Sequence, residues 1–293
     1  MQNDPLRCFR YAAYNRVISA LAIGSLLFVV SGCDSTTKEV KPTDNLATNT
    51  SIAGNADFPD KAKVQLTGAL TITTNDAENL VQSSDNVDSN IKYMKVADSG
   101  LPEFEINSLK RDFENLNKYG SYSGGNITHE FTKAGDLKVA LEKNNGLKNI
   151  LKKLSFTPTD IEASLGNDFK LVGADYSGAL NKGKFNSIFR YYENNDGKRF
   201  EINEMYLTSE NNYSIHIYIE SLNFYLAGHL ATLQNLKSVE NKEIYNLDFN
   251  VNKRVFSISS EGFNYSEFLQ TSMKIADLAE KNNCSSLIIY CLD

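Results

Sequence analysis

The chain has 293 residues, 36 of them acidic and 30 Lys or Arg, for a formal net charge of −6, and it contains no tryptophan. That balance argues against a nucleic-acid footprint, which needs clustered basic side chains to meet phosphates, and it disfavours a peripheral contact between a basic surface and a membrane. The length is enough for one large or two modest domains with real cores.

Arg7, Arg10 and Arg16 stand against a single Asp4 in residues 1–16, and the apolar run Val17–Val30 follows. A basic region and then an apolar region is the order of a secretory signal. A membrane-spanning helix needs roughly 20 apolar residues, because the hydrocarbon core is about 30 Å thick. This run is shorter, and polar Asp34-Ser-Thr-Thr follows it at once.

Val30-Ser31-Gly32-Cys33 closes the leader. A branched apolar residue, two small residues and a cysteine in this place resemble the lipobox of bacterial lipoproteins. The resemblance covers residues 1–33 only. It implies that residues 1–32 are removed, that Cys33 carries a diacylglyceryl thioether, and that acyl chains such as palmitate hold the protein on a membrane in the cell envelope, facing the periplasm or the outside. Each buried methylene contributes about 0.8 kcal/mol, so two or three chains make a stable anchor where one does not. Asp34, just after the lipid position, resembles the enterobacterial signal for inner-membrane retention. The leader carries +2, which leaves a mature chain of about −8.

Cys8 departs with the leader and Cys33 takes lipid, so Cys284 and Cys291 remain, in a compartment that oxidises thiols. They are a candidate disulfide. A straight strand between them would span roughly 23 Å, whereas a bridge needs Cα atoms about 4.4–6.8 Å apart. The chain therefore turns between them, or each thiol bonds elsewhere or stays free.

Residues 33–62 read as the lipidated cysteine and a linker, rich in Thr, Asn, Ser, Asp and Lys. Folded structure is expected from residue 63. Val64, Leu66, Leu70 and Ile72 alternate with polar residues as in a strand, a polar stretch follows to Asn86, and 91–96 reads as a second strand. Ile106, Leu109, Phe113 and Leu116 form the apolar stripe of a helix, and Gly120 ends it. A short strand is expected at 127–131, then two helices within 137–154 broken near Asn144-Asn145-Gly146, then a helix started by Thr157-Pro158.

From about residue 167 the texture turns to β. Strands are expected at 169–180, 185–193, 199–208 and 213–221, with Asn194-Asn195-Asp196-Gly197 as a hairpin turn. Leu222–Leu236 reads as a helix. Two strands meeting at Asn252-Lys253 follow, then a helix over 265–281 stopped by Asn282-Asn283, and a last strand at 287–290. The sum is an α+β protein. A helix-rich part at 63–166 precedes a mainly antiparallel sheet at 167–293, with two helices packed on one side.

No chemical constellation emerges. His216 and Glu220 lie four residues apart on one expected strand, roughly 13 Å, too far to share an ion. His129 and His229 read as surface or satisfied core residues. The serines lack a GxSxG frame, and Gly120–Gly125 lacks the Lys-Ser/Thr of a phosphate loop. No catalytic residue, metal ligand or cofactor is named. Tyr191, Tyr192, Tyr206 and Tyr218 could stack on a ligand, but read more simply as cross-strand pairs. The expectation is a non-enzymatic envelope lipoprotein that binds an envelope partner through its sheet. The alternatives are an immunity-type inhibitor of an envelope toxin and, less favoured, an enzyme with a dispersed site.

Overall fold

The computed structural model describes residues 69–83, 90–125, 127–207 and 214–288, with 282–288 described as helical backbone only. They belong to one compact unit, Leu66–Asp293. Helices come first, and a mostly antiparallel nine-stranded sheet with a C-terminal helix packed on it follows.

The polar stretch after residue 73 folds as helix α1, Thr74–Ser83. Thr73 and Asp76 start it reciprocally. The Asp76 carboxylate accepts the Thr73 N–H at 2.9 Å, and the Thr73 hydroxyl oxygen accepts the Asp76 N–H at 3.2 Å. That is a capping box, and it outweighs the low apolar content. Helix α2, Glu103–Tyr119, buries Phe113 and Leu116 as its stripe predicts. Gly120, at φ 71°, caps it by donating its N–H to the Leu116 carbonyl. Helices α3, Gly135–Lys143, and α4, Leu147–Leu151, flank the expected break, with Gly146 at φ 98°.

The next helix, α5, covers only Glu162–Leu165 and begins later than Thr157-Pro158 suggest. Thr159 is drawn elsewhere: both its N–H and its hydroxyl donate to buried Glu204. Asp160 takes over at the helix start and accepts the Ala163 N–H.

The strands among the described residues, in chain order, are β1 Ala69–Thr71, β2 Ile91–Met94, β3 Thr128–His129, β4 Lys170–Asn181, β5 Lys184–Glu193, β6 Arg199–Tyr206, β7 Ile215–Tyr218, β8 Phe224–Leu226, β9 His229–Ser238, β10 Glu243–Val251 and β11 Arg254–Glu261. The main sheet runs β1-β8-β9-β10-β11-β6-β5-β4, with β3 parallel to the end of β9. Two meanders, β4-β5-β6 and β8-β9-β10-β11, are joined by the antiparallel pair β6–β11. β2 and β7 form a separate parallel pair.

Two expectations fail here. Leu222–Leu236 is not a helix but the hairpin β8–β9. Ala227 and Gly228 both take positive φ, 47° and 97°, and turn the chain in two residues. Phe224, Tyr225 and Leu226 are all buried, so the alternation that marks a strand is erased. The last helix, α6, runs Tyr265–Ile288, through Asn282-Asn283 and into the expected final strand. Asn lowers helix stability by only about 0.5–0.7 kcal/mol relative to Ala, and neither Gly nor Pro follows it to the end of the chain.

The two faces of the sheet differ. One is apolar. Tyr192, Phe200, Ile202, Leu247, Phe249, Phe256 and Ile258 lie there under Phe268, Ile275, Ala276 and Ala279 of α6. Phe268 stacks on Tyr245 at 5.0 Å between ring centres. A buried charge cluster lies on the same face. Glu204 accepts from Arg190 at 2.7 Å, from Arg254, and from Thr159.

Candidate interaction surface

Side chains alternate along a strand, so the register fixes which residues share the second face. Asn203 of β6 pairs with Phe189 of β5 and Ser257 of β11, Ser257 pairs with Asp248 of β10, and Asp248 pairs with Thr232 of β9. The result is a straight row, Phe189–Asn203–Ser257–Asp248–Thr232, across five strands. The neighbouring row, read the same way, is Tyr191–Glu201–Ser259–Asn246–Gln234. On the other side lie Ser187, Met205, Val255 and Asn250. No bulge interrupts the register from β5 to β9. The face is a lattice of mostly amide and hydroxyl groups with two carboxylates, Glu201 and Asp248, and four larger apolar or aromatic side chains, Phe189, Tyr191, Met205 and Val255.

The lattice is walled. Tyr93 donates its hydroxyl to Asn250 at 2.9 Å, and Gln234 accepts the Tyr122 N–H at 3.3 Å, so residues 90–125 border the β9–β10 side. Tyr122 is buried. Burial first, then the nearby Asp248 charge, pushes its phenol well above the ordinary tyrosine range. Phe131, Ala134 and Leu137 pack on Tyr191, Leu236 and Ile244 and close one end. The Tyr191 hydroxyl donates to the Thr132 carbonyl, and burial raises its pKa to about 12. Between these walls Asp248 is exposed, and Phe189, Asn203, Ser257, Asn246 and Gln234 are half-buried. Ser187, Glu201 and Ser259 form a buried floor, with the Ser187 hydroxyl donating to Asn203 at 2.7 Å.

The trough is small. Four interstrand steps of about 4.8 Å and two row steps of about 6.8 Å give roughly 19 by 14 Å. Its chemistry is that of paired donors and acceptors, suited to the amides or hydroxyls of a partner. At the closed end, Arg199 pairs with Glu261 and lies over the Phe131 ring, beside a concavity of about 110 Å³. Small-molecule pockets commonly measure about 300–1,000 Å³, so this niche fits one protruding group rather than a cofactor.

The residues singled out from sequence scatter. Cys33 and Cys291 lie outside the described residues, and Cys284 falls where α6 is described as backbone alone. Tyr191 and Tyr192 are buried on opposite faces, Tyr206 stacks on Phe156 at 5.6 Å, and Tyr218 packs against Phe113. They form no common platform. Glu220 leaves the strand for a 3₁₀ turn and accepts the Val96 N–H, while His216 is exposed. Burial lowers the His129 pKa, and its ring lies 3.4 Å from the Ser123 hydroxyl. His229, expected on a helix, opens β9 and meets Glu280 at 3.1 Å.

Among the described residues no three His, Cys, Asp or Glu side chains are grouped to hold a metal, and no helix is long and apolar enough to cross a membrane. Sequence reasoning missed the trough, because its residues come from five strands spread over Ser187–Ser259 and most of them, taken alone, are ordinary polar residues. The alternation of Asn203, Ser257 and Asp248 with apolar neighbours was the available signal. Comparison with known protein families, with curated proteins and with solved structures found no match to this chain.

Proposed function

We propose that the protein is a membrane-anchored lipoprotein of the cell envelope whose folded unit is a non-enzymatic interaction module, and that the trough receives its partner. The leader and the lipobox-like Val30–Cys33 support the anchor. The observation that carries the binding reading is the accessible polar run Asn203–Ser257–Asp248, flanked by the Phe189 ring and lying between two walls. An area of roughly 19 by 14 Å is well below the ~800 Å² per partner of a standard protein interface. The partner therefore presents a loop or an extended segment, whose backbone amides match the Asn, Ser and Gln groups of the lattice.

A photo-crosslinking residue in place of Asn203, in the full chain expressed with its leader, tests this in intact envelopes. One discrete adduct from Asn203, absent when the same group replaces Lys274 on α6, supports the reading. Equal labelling from both sites, or none, overturns it. The anchor has its own test. Cys33→Ala releases the protein from salt-washed membranes, and continued tight association after the wash together with an unchanged mass would refute lipidation.

A further inference from the structure

The net charge argues against a basic membrane contact, yet the fold gathers the lysines unevenly. From Lys143 to Thr159 the chain has no acidic residue, and from Tyr176 to Tyr192 it has none either. These two stretches meet in space. The Phe185 N–H donates to the Lys153 carbonyl and the Ser155 N–H to the Phe185 carbonyl, both at 2.8 Å. Ile150 and Leu154 pack on Ala174 and Ile188, which locks α4 against β4 and β5. Lys153 donates to the Tyr176 hydroxyl at 3.0 Å, and the Tyr176 and Phe185 rings lie 4.4 Å apart.

Lys148, Lys152, Lys153, Lys182 and Lys184 are all exposed around this seam. Lys182 and Gly183 form the β4–β5 turn with φ 49° and 79°. Beside the turn Leu180 is 62% exposed, an apolar side chain among cations. The carboxylates that bound the two stretches in sequence are exposed Glu142 and Asp160 and half-buried Glu193 and Asp175, the last accepting the Tyr176 N–H.

We infer that this seam is a docking surface for an anionic phospholipid bilayer, with the lysines on the headgroups and Leu180 at the headgroup–acyl boundary. Lysine near an anionic surface contributes about 1 kcal/mol, or about fivefold, and the exposed leucine favours a lipid surface over a soluble polyanion. The position in the sheet agrees. The described chain enters at β1, and the seam lies on β4, seven strand steps away. At about 4.8 Å each, those steps span no more than roughly 34 Å. Cys33 to Gly68 is 36 residues, with a maximum reach of about 120 Å. A lipid on Cys33 and the seam can therefore meet the same bilayer. The lipid supplies the high local concentration that makes a modest contact effective. The setting rests on the lipoprotein reading, but the contact itself does not.

The test uses residues 33–293, the chain without its apolar leader, carrying Cys33→Ser and hence no lipid, and vesicles of phosphatidylcholine with or without about one-third phosphatidylglycerol. Binding to the anionic vesicles alone is expected, weakened at least tenfold when salt rises from about 0.1 to 0.5 M. The variant K148Q/K152Q/K182Q/K184Q should lose roughly 100-fold or more. L180S should weaken binding at high and low salt alike. Equal binding to neutral vesicles overturns the proposal, as does binding unchanged in the quadruple variant. So does retention on a soluble polyanion without vesicle binding, or indifference to L180S. Because no lipid is attached, failure here leaves the Cys33 anchor standing, and failure of the anchor leaves this result readable.

Discussion

The Arg190 guanidinium meets the Glu204 carboxylate at 2.7 Å, with side chains 4% and 0% exposed. Arg254 reaches the same carboxylate from β11, on the other side of β6, and lies over the rings of Phe156 and Tyr206. Arg190 also donates to the Thr159 carbonyl at 2.6 Å. Glu204 thus ties β5, β6, β11 and the extended segment before α5 together. Glu204→Ala leaves two buried guanidinium groups without their counter-charge and should cost about 3–5 kcal/mol. Urea unfolding measures it, and a loss below about 1 kcal/mol would show that water reaches the cluster.

Gly173 of β4 faces α3 at close range. A Cβ there would lie 2.7 Å from the Leu137 Cβ and 2.8 Å from the Lys138 nitrogen. Backbone cannot swing aside as a side-chain tip can. Gly173→Ala should therefore destabilise by about 1–3 kcal/mol, read as a lower midpoint in thermal unfolding. An unchanged midpoint would mean that α3 shifts freely on the sheet.

His229 gives a pH dependence. Burial lowers its pKa below 6.5, against the opposing pull of Glu280 and Asp277. The folded protein thus binds this proton less readily than the unfolded chain. Its contribution to stability is complete above the unfolded value near 6.5 and declines as pH falls toward the folded value. Melting temperatures between about pH 7.5 and 5.5 should fall more steeply for the natural chain than for His229→Gln. Parallel slopes would show that His229 carries none of the acid sensitivity.

The trough can be blocked without breaking the sheet. Ser257 is half-buried in the centre of the polar row. Ser257→Arg should shift stability by no more than about 0.5 kcal/mol, as surface changes usually do, and should abolish the adduct formed from Asn203. An adduct of unchanged yield would place the partner elsewhere.

Phe268 is the largest buried side chain by which the last helix packs on the sheet, beside Ile275, Ala276 and Ala279. Phe268 is fully buried and stacked on Tyr245. Phe268→Ala should cost about 3–5 kcal/mol and loosen α6 before the strands, seen as amide exchange that quickens in 265–281 first. Uniform quickening across the sheet would contradict that order.

The sequence by itself determined the elements whose chemistry is local. The 3-4-3 stripe of Ile106, Leu109, Phe113 and Leu116, the break at Gly146, the turn at Asn194–Gly197 and the strands of the meander are written in short-range patterns. The lipobox resemblance at Cys33 is local too. Where a pattern was masked, reading by period failed. Continuous burial of Phe224–Leu226 hid a strand, Thr73 and Asp76 made a helix from polar residues, and Glu204 withdrew Thr159 from a helix start. Only the tertiary structure decided which surfaces exist. Registers set between distant strands align Phe189, Asn203, Ser257, Asp248 and Thr232 into one row. Packing of α4 on β4 and β5 brings two acid-free stretches into one basic seam on a net acidic chain. Charge totals and single-residue identities average over such neighbours, because proximity across strands is fixed by hydrogen-bond register and core packing rather than by position along the chain.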